Sequence, residues 1–184
     1  KIPATETPAD IEAARTAMFS SHKKYPWGEN AWWFDTIANG AYPDGVLENL
    51  GASAPPIHDG DLKVIGAELD FLGLNGYHGQ ITRRGDDGEP EILGRKDGEP
   101  ITAFHWPITP DAMYWGPKFF SARYKKPLII TENGMANVDY PSLDGKVHDP
   151  QRIDFLQRYM LAAHRAIAEG VDLFGYCVWT LTDN

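Results

Sequence analysis

Apolar positions along the chain follow two patterns. One is helical. Ile153, Leu156, Met160, Ala163 and Ile167 recur at steps of three and four, the stripe of one α-helix face. Asp149-Pro150 opens this helix and Gly170 ends it, as the helix-start preference of Pro and the helix-end preference of Gly require. Thr7-Pro8-Ala9-Asp10 starts an earlier helix, expected to run to about Lys24. There Thr7 caps, Pro8 takes the first helical position and Asp10 meets the positive end of the dipole. A second helix over residues 31–39 carries Trp32, Trp33, Phe34 and Ile37 and stops at Gly40, with Pro43 following. Thr109-Pro110-Asp111 starts another, which Gly116-Pro117 is expected to kink or split.

The other pattern is short and continuous. Residues 69–75, 128–131 and 173–181 are apolar runs without alternation, which predicts strands buried on both faces. Strand, helix, strand, helix, strand is the order of parallel βα units, so the chain reads as α/β. Residues 77–82 and 91–93, joined through Arg84-Gly85-Asp86-Asp87-Gly88, predict a surface hairpin in a loop insertion. All three strands gather polar or aromatic groups at their carboxyl ends: Asn75 with Tyr77, Glu132 with Asn133, Trp179 with Asp183. In parallel βα architectures the functional site lies at that end.

Charge and composition narrow the function. Seventeen Lys and Arg against 26 Asp and Glu leave a net charge of −9, and the longest basic runs are pairs, so a nucleic-acid surface is excluded. No apolar stretch approaches the ~18 residues of a membrane span. The single cysteine, Cys177, excludes an internal disulfide, and Lys1-Ile2-Pro3-Ala4-Thr5-Glu6 has no apolar signal core; the expected location is cytoplasmic. The length suits one domain. Six Trp are a number that often lines carbohydrate or peptide sites, although core packing is the commoner place for any single one. Six His show no i, i+4 pair and no Cys companion, so no metal is expected. Residues 85–98 lack both Gly-x-Gly-x-x-Gly and a phosphate-loop lysine, and no Gly-x-Ser-x-Gly occurs; no cofactor is expected.

Thr131-Glu132-Asn133-Gly134 is the sharpest local feature, a carboxylate at the mouth of the sheet followed by a glycine that lets the chain turn away. Residues 128–134, Leu-Ile-Ile-Thr-Glu-Asn-Gly, resemble the nucleophile signature of glycoside hydrolase family 1, the β-glucosidase family. Asp70-Phe71-Leu72-Gly73-Leu74-Asn75-Gly76-Tyr77 resembles that family's sixth barrel strand. Trp33-Phe34-Asp35 through Gly40-Ala41-Tyr42-Pro43 resembles the preceding helix, and Gly175-Tyr176-Cys177-Val178-Trp179-Thr180-Leu181-Thr182-Asp183-Asn184 the eighth strand. The resemblance covers essentially the whole chain. It implies a (β/α)8 TIM barrel, with residues 1–184 as the C-terminal part of that one domain, about strands six to eight. It also implies a retaining β-glycosidase of the β-glucosidase type acting on terminal β-D-glycosides or oligosaccharides.

By the same resemblance, Glu132 is the nucleophile, Tyr77 hydrogen-bonds and orients it, and Asn75 contacts the sugar or the nucleophile's surroundings. Trp179 is a platform under the sugar next to the scissile bond, and Trp106 stacks on the aglycone or second sugar. His78 and His105 fall in the same loops. Two features depart from the family pattern. Gly76 stands where the family often has Tyr, which predicts local loosening. The acid/base motif Asn-Glu-Pro is absent, since the only Glu-Pro pairs are Glu89-Pro90 and Glu99-Pro100 in Gly-rich loop sequence. The family's sugar-binding Glu-Trp pair belongs beyond Asn184. The expectation is therefore a fragment, inactive alone, whose partner is the missing N-terminal part of the barrel. The alternative is a carbohydrate-binding or assembly fragment of a split barrel without catalysis of its own.

Overall fold

A computed structural model describes residues 1–21 and 25–182. The chain runs β1 (Ile2–Pro3), α1 (Pro8–Met18), α2 (Asn30–Asn39), α3 (Val46–Leu50), α4 (Asp61–Ile65), β2 (Leu72–Asn75), β3 (Ile81–Arg84), β4 (Pro90–Ile92), α5 (Ala112–Tyr124), β5 (Leu128–Asn133), α6 (Pro150–Ala168) and β6 (Leu173–Val178), with two short 3₁₀ turns. The main sheet has the order β2-β5-β6 and is parallel throughout, with Leu72 beside Leu128 and Leu128 beside Leu173. A smaller sheet joins β1 to β3 in parallel and β3 to β4 as the expected hairpin, shifted by a few residues and braced by Arg83 on Glu91 at 2.7 Å.

Helix ends follow their capping residues. The Thr7 side chain accepts the Asp10 N–H, and the helix it caps ends at Met18 with Phe19 as its C-cap, short of the expected Lys24: residues 19–21 are not helical, and residues 22–24 lie outside the described residues. Gly40 closes α2 at φ 66°, a left-handed conformation that costs glycine nothing. The helix at Pro117 is not split. α5 runs unbroken from Ala112 to Tyr124, because Pro117 lies early in the helix, where its missing N–H removes a single bond, and its ring is fully buried in the core.

The strands are not covered on both faces. Leu72, Leu74, Leu128, Ile130 and Leu173 are buried and point toward the helices, where they meet Met113, Phe120, Phe155 and Tyr159. Phe71 and Phe174 are half exposed on the strands' other surface, where they touch edge to face at 5.5 Å. A three-stranded parallel sheet carries helices on one side here and is open on the other. The continuous apolar runs predict a cover that these residues alone do not supply.

α6 also buries a face that overlaps only in part with the one its aliphatic stripe predicts. Of the stripe, Ala163 is buried and Leu156 packs against the core, whereas Ile153, Met160 and Ile167 are exposed; the buried face is completed by Phe155, Tyr159 and Ala166. Aromatic rings take the core side: Phe155 and Tyr159 stack at 3.9 Å, and the Tyr159 hydroxyl accepts the Thr109 N–H at 2.8 Å. Burying two large rings removes more apolar area from water than burying the aliphatic stripe does. On the far side, Arg123 grips Asp35 through two bonds of 2.8 and 2.6 Å while Tyr124 donates to the same carboxylate at 2.8 Å. This fixes α2 against α5 and satisfies a carboxylate that would be costly to bury unpaired.

Candidate active site

The three strand ends converge. Asn75 is the register partner of Glu132, and Asn133 that of Val178, with ladder irregularities between Leu74 and Asn75 and between Ile130 and Asn133. Such irregularities bend a strand and re-aim its side chains, and they recur beside functional sites. After the shift in β5, Glu132 is half-buried, and Asn133, next in the chain, is fully buried.

Tyr77 reaches this carboxylate. Its hydroxyl donates to Glu132 Oε2 at 2.6 Å, and the Gly76 N–H donates to the Glu132 carbonyl at 2.9 Å. Burial first, and the Glu132 carboxylate second, raise the Tyr77 phenol above its ordinary value. The hydroxyl therefore stays a donor across the physiological range, and the bond holds one carboxylate oxygen fixed. We expect Tyr77→Phe to lower turnover roughly 100-fold, as loss of one aligned donor does, but to lower stability by only about 1 kcal/mol. Paired kcat and unfolding measurements check this; a loss confined to stability would reduce Tyr77 to packing.

Asn133, named in the sequence only as a polar group at the strand end, has a structural part that the sequence did not assign. Its Nδ2 donates to the Gly76 carbonyl at 2.7 Å, Tyr176 donates to its Oδ1, and its own carbonyl accepts the Trp179 N–H at 2.8 Å. One buried amide thus pins all three strand ends. Asn75 Oδ1 accepts from Thr131 Oγ1 at 2.6 Å, one residue before Glu132. At Gly76 a Cβ would lie 2.6 Å from Met113 Cε, so the end of buried Met113 packs against this glycine.

Trp106 and Trp179 face a cavity of about 130 Å³ bordered also by Tyr77, Phe104, Met135 and Arg152. Glu132 does not line it directly and is tied to it through Tyr77. The Trp106 ring lies 5.1 Å from Tyr77, 5.5 Å from His78 and 5.6 Å from Phe104, a wall of aromatic faces suited to the C–H faces of a sugar. His105 sits at the tip of that loop with φ 61°. Asp183 lies outside the described residues. Among the described residues no group of three His, Cys, Asp or Glu is placed to hold a metal, and no helix is long and apolar enough to cross a membrane.

Gly134 shows how closely the parts fit. A Cβ there would stand 1.8 Å from the Trp179 carbonyl oxygen, a backbone atom that cannot swing aside. Gly134→Ala should therefore drive β6 from β5 and destabilise by about 3 kcal/mol or more, with activity lost alongside; a denaturant midpoint near the wild-type value would contradict this packing.

A carboxylate held by a phenol thus stands at the carboxyl end of a parallel sheet, near two tryptophans, where the sites of parallel α/β folds lie. Comparison with known proteins gives the family. The model of glycosyl hydrolase family 1 matches residues 1–184, and the chain belongs to that family. It is 38% identical to beta-glucosidase A of Thermotoga maritima over 183 residues, covering 99% of this chain and 40% of that protein. It is equally identical, at 38%, to a 1,4-beta-D-glucan glucohydrolase of Thermotoga neapolitana, covering 99% of this chain and 41% of the relative. The solved family 1 β-glucosidase of Thermotoga maritima in complex with isofagomine lactam superposes with a TM-score of 0.74 at 37% identity, over 99% of this chain and 40% of that one. The chain thus spans about 40% of the length of these relatives.

Proposed function

We propose that residues 1–184 form part of one barrel domain of a retaining β-glucosidase, supply its sixth to eighth strands, and carry its nucleophile, Glu132. The observation that carries this is the 2.6 Å bond from Tyr77 to Glu132 Oε2 at the carboxyl edge of the sheet. It leaves the other oxygen to attack the anomeric carbon. The bond from that carbon to the leaving oxygen breaks as a second carboxylic acid, ~5–5.5 Å away, protonates the leaving group. Water, deprotonated by the same second group, then attacks the glycosyl ester, releases the sugar with its configuration retained, and restores Glu132.

The parallel sheet, open on one face, and the 40% coverage of the relatives both support a second carboxylate from outside these residues. Trp179 is the platform under the sugar at the scissile bond, Trp106 the platform for the aglycone, and Asn75, held against Thr131, a donor to the sugar or a support of Glu132. This chemistry asks for no metal or cofactor, and the expected substrates are β-glucosides and short β-linked oligosaccharides. Proton NMR of an aryl β-glucoside during hydrolysis by the whole barrel tests the reading. The first-formed sugar should be the β-anomer; an α-anomer first would require an inverting enzyme, in which Glu132 activates water instead.

A further inference from the structure

The segment that follows Glu132 is held by one side chain from the next helix. Arg152, in the first turn of α6, is largely buried at 22% exposure. Its Nε donates to the Met135 carbonyl at 2.8 Å, its Nη1 to Asp149 Oδ2 at 2.8 Å and its Nη2 to Asp139 Oδ2 at 2.5 Å. These partners stand at the first, fifth and last residues of the loop 135–149, so a single guanidinium closes a loop of fifteen residues. Asp149 is bent into a left-handed conformation at φ 46°, and its Oδ1 is buried with no hydrogen-bond partner. An aspartate tolerates that backbone at some cost, and the ion pair holds it there.

The loop start leads directly to the cavity walls. Ala136, next to the gripped Met135, accepts the Ala103 N–H at 3.0 Å, and Thr102, one residue on, donates to the Trp106 carbonyl at 2.8 Å. On the other side, Gly134 abuts the Trp179 backbone. Arg152 therefore connects by short steps to the Trp106 wall, the exit from Glu132 and the Trp179 platform. Only a planar fork of donors serves three separated acceptors; a lysine ammonium on the same stem acts as a point charge.

We propose that Arg152 is a positioning residue: by clamping the loop 135–149 it sets the distance between the Trp106 wall and the Glu132–Trp179 side of the cavity, and so governs how the leaving-group part of the glycoside is held. This rests on the reading of Trp106 as the aglycone platform. The Glu132–Trp179 side is also held by Asn133, which bonds Gly76, Tyr176 and Trp179, whereas the Trp106 wall meets the loop through the Ala103–Ala136 bond; loss of the clamp is therefore felt most by substrates that extend past the scissile bond and least by ligands confined to the sugar pocket.

The test uses the whole barrel containing this chain, as wild type, Arg152→Lys and Arg152→Gln. Hydrogen exchange is followed at residues 102–106, and kinetics are measured with a β-1,4-linked glucose dimer and with a glucose-sized iminosugar that lacks an aglycone. In Arg152→Gln, exchange at 102–106 should quicken and KM for the dimer rise about tenfold, with kcat and the iminosugar Ki within about threefold, since displaced positioning groups weaken what they position. Arg152→Lys should fall between. If Arg152→Gln does not fold, Asp139→Asn removes one arm of the clamp and should shift both readouts the same way by less. Unchanged exchange at 102–106, or equal losses for dimer and iminosugar, overturns the clamp. A wild-type barrel that cleaves no β-glucoside overturns the glycosidase reading instead, and the exchange measurement still decides the clamp.

Discussion

Glu132→Gln in the whole barrel should lower aryl β-glucoside turnover by at least about 10⁴-fold, the scale seen when a nucleophile is removed. An amide oxygen has the shape of the carboxylate but cannot form the glycosyl ester. The change should leave the fold intact. Gln keeps an acceptor for the Tyr77 hydroxyl, and the backbone bonds from Gly76 to residue 132 and from Trp179 to residue 133 do not involve the side chain. Unfolding should therefore stay within about 0.5 kcal/mol of wild type. Turnover near the wild-type rate, or a collapse of stability in step with activity, would remove Glu132 from the chemistry.

A larger effect still is expected when residues 1–184 are studied by themselves: no measurable glucosidase activity, and association in solution. β2 and β6 are the edges of the parallel sheet and present unpaired backbone donors and acceptors. The open face carries Phe71 and Phe174, and α6 exposes Ile153, Leu161 and Ile167. Apolar groups gathered in that density seek partners. Size exclusion should show oligomers or aggregate, and refolding together with the rest of the barrel should restore an aryl-glucosidase. A soluble monomer that turns over substrate at an ordinary enzymatic rate would mean that an acid/base lies within the chain. A soluble monomer that binds β-glucan without cleaving it would favour a binding role.

What the sequence made legible was the part governed by local rules. Threonine and proline at the start of α1, proline at the start of α6 and glycine after α2 and α6 read correctly because capping is a short-range preference, whereas the far end of α1, which carries no glycine, falls short of its expected place. Thr131 to Gly134 read correctly as a strand end, because an apolar run giving way to polar residues marks the mouth of a parallel sheet. What was hidden depends on partners far along the chain. The face that α6 buries is chosen by Phe155 and Tyr159 finding α5 and the 108–109 backbone, and a stripe of Ile, Leu and Met carries no record of that. Pro117 reads as a breaker until its buried ring is seen. Asn133 reads only as a polar group at a strand end until Gly76, Tyr176 and Trp179 are seen to meet on it. Arg152 is one of many charged residues in an amphipathic helix, and nothing in its neighbours shows that its fork spans a loop.

The central claim, that Glu132 is the residue glycosylated, is tested most directly by a 2-deoxy-2-fluoro-β-glucoside with a good leaving group. The fluorine slows release of the covalent sugar, so the ester accumulates on the nucleophile. Incubated with the whole barrel, digested and mapped by mass spectrometry, the label should lie on Glu132, within a peptide containing Thr131-Glu132-Asn133-Gly134, and Glu132→Gln should take up none. A fluoroglucosyl group on any other carboxylate would contradict the account.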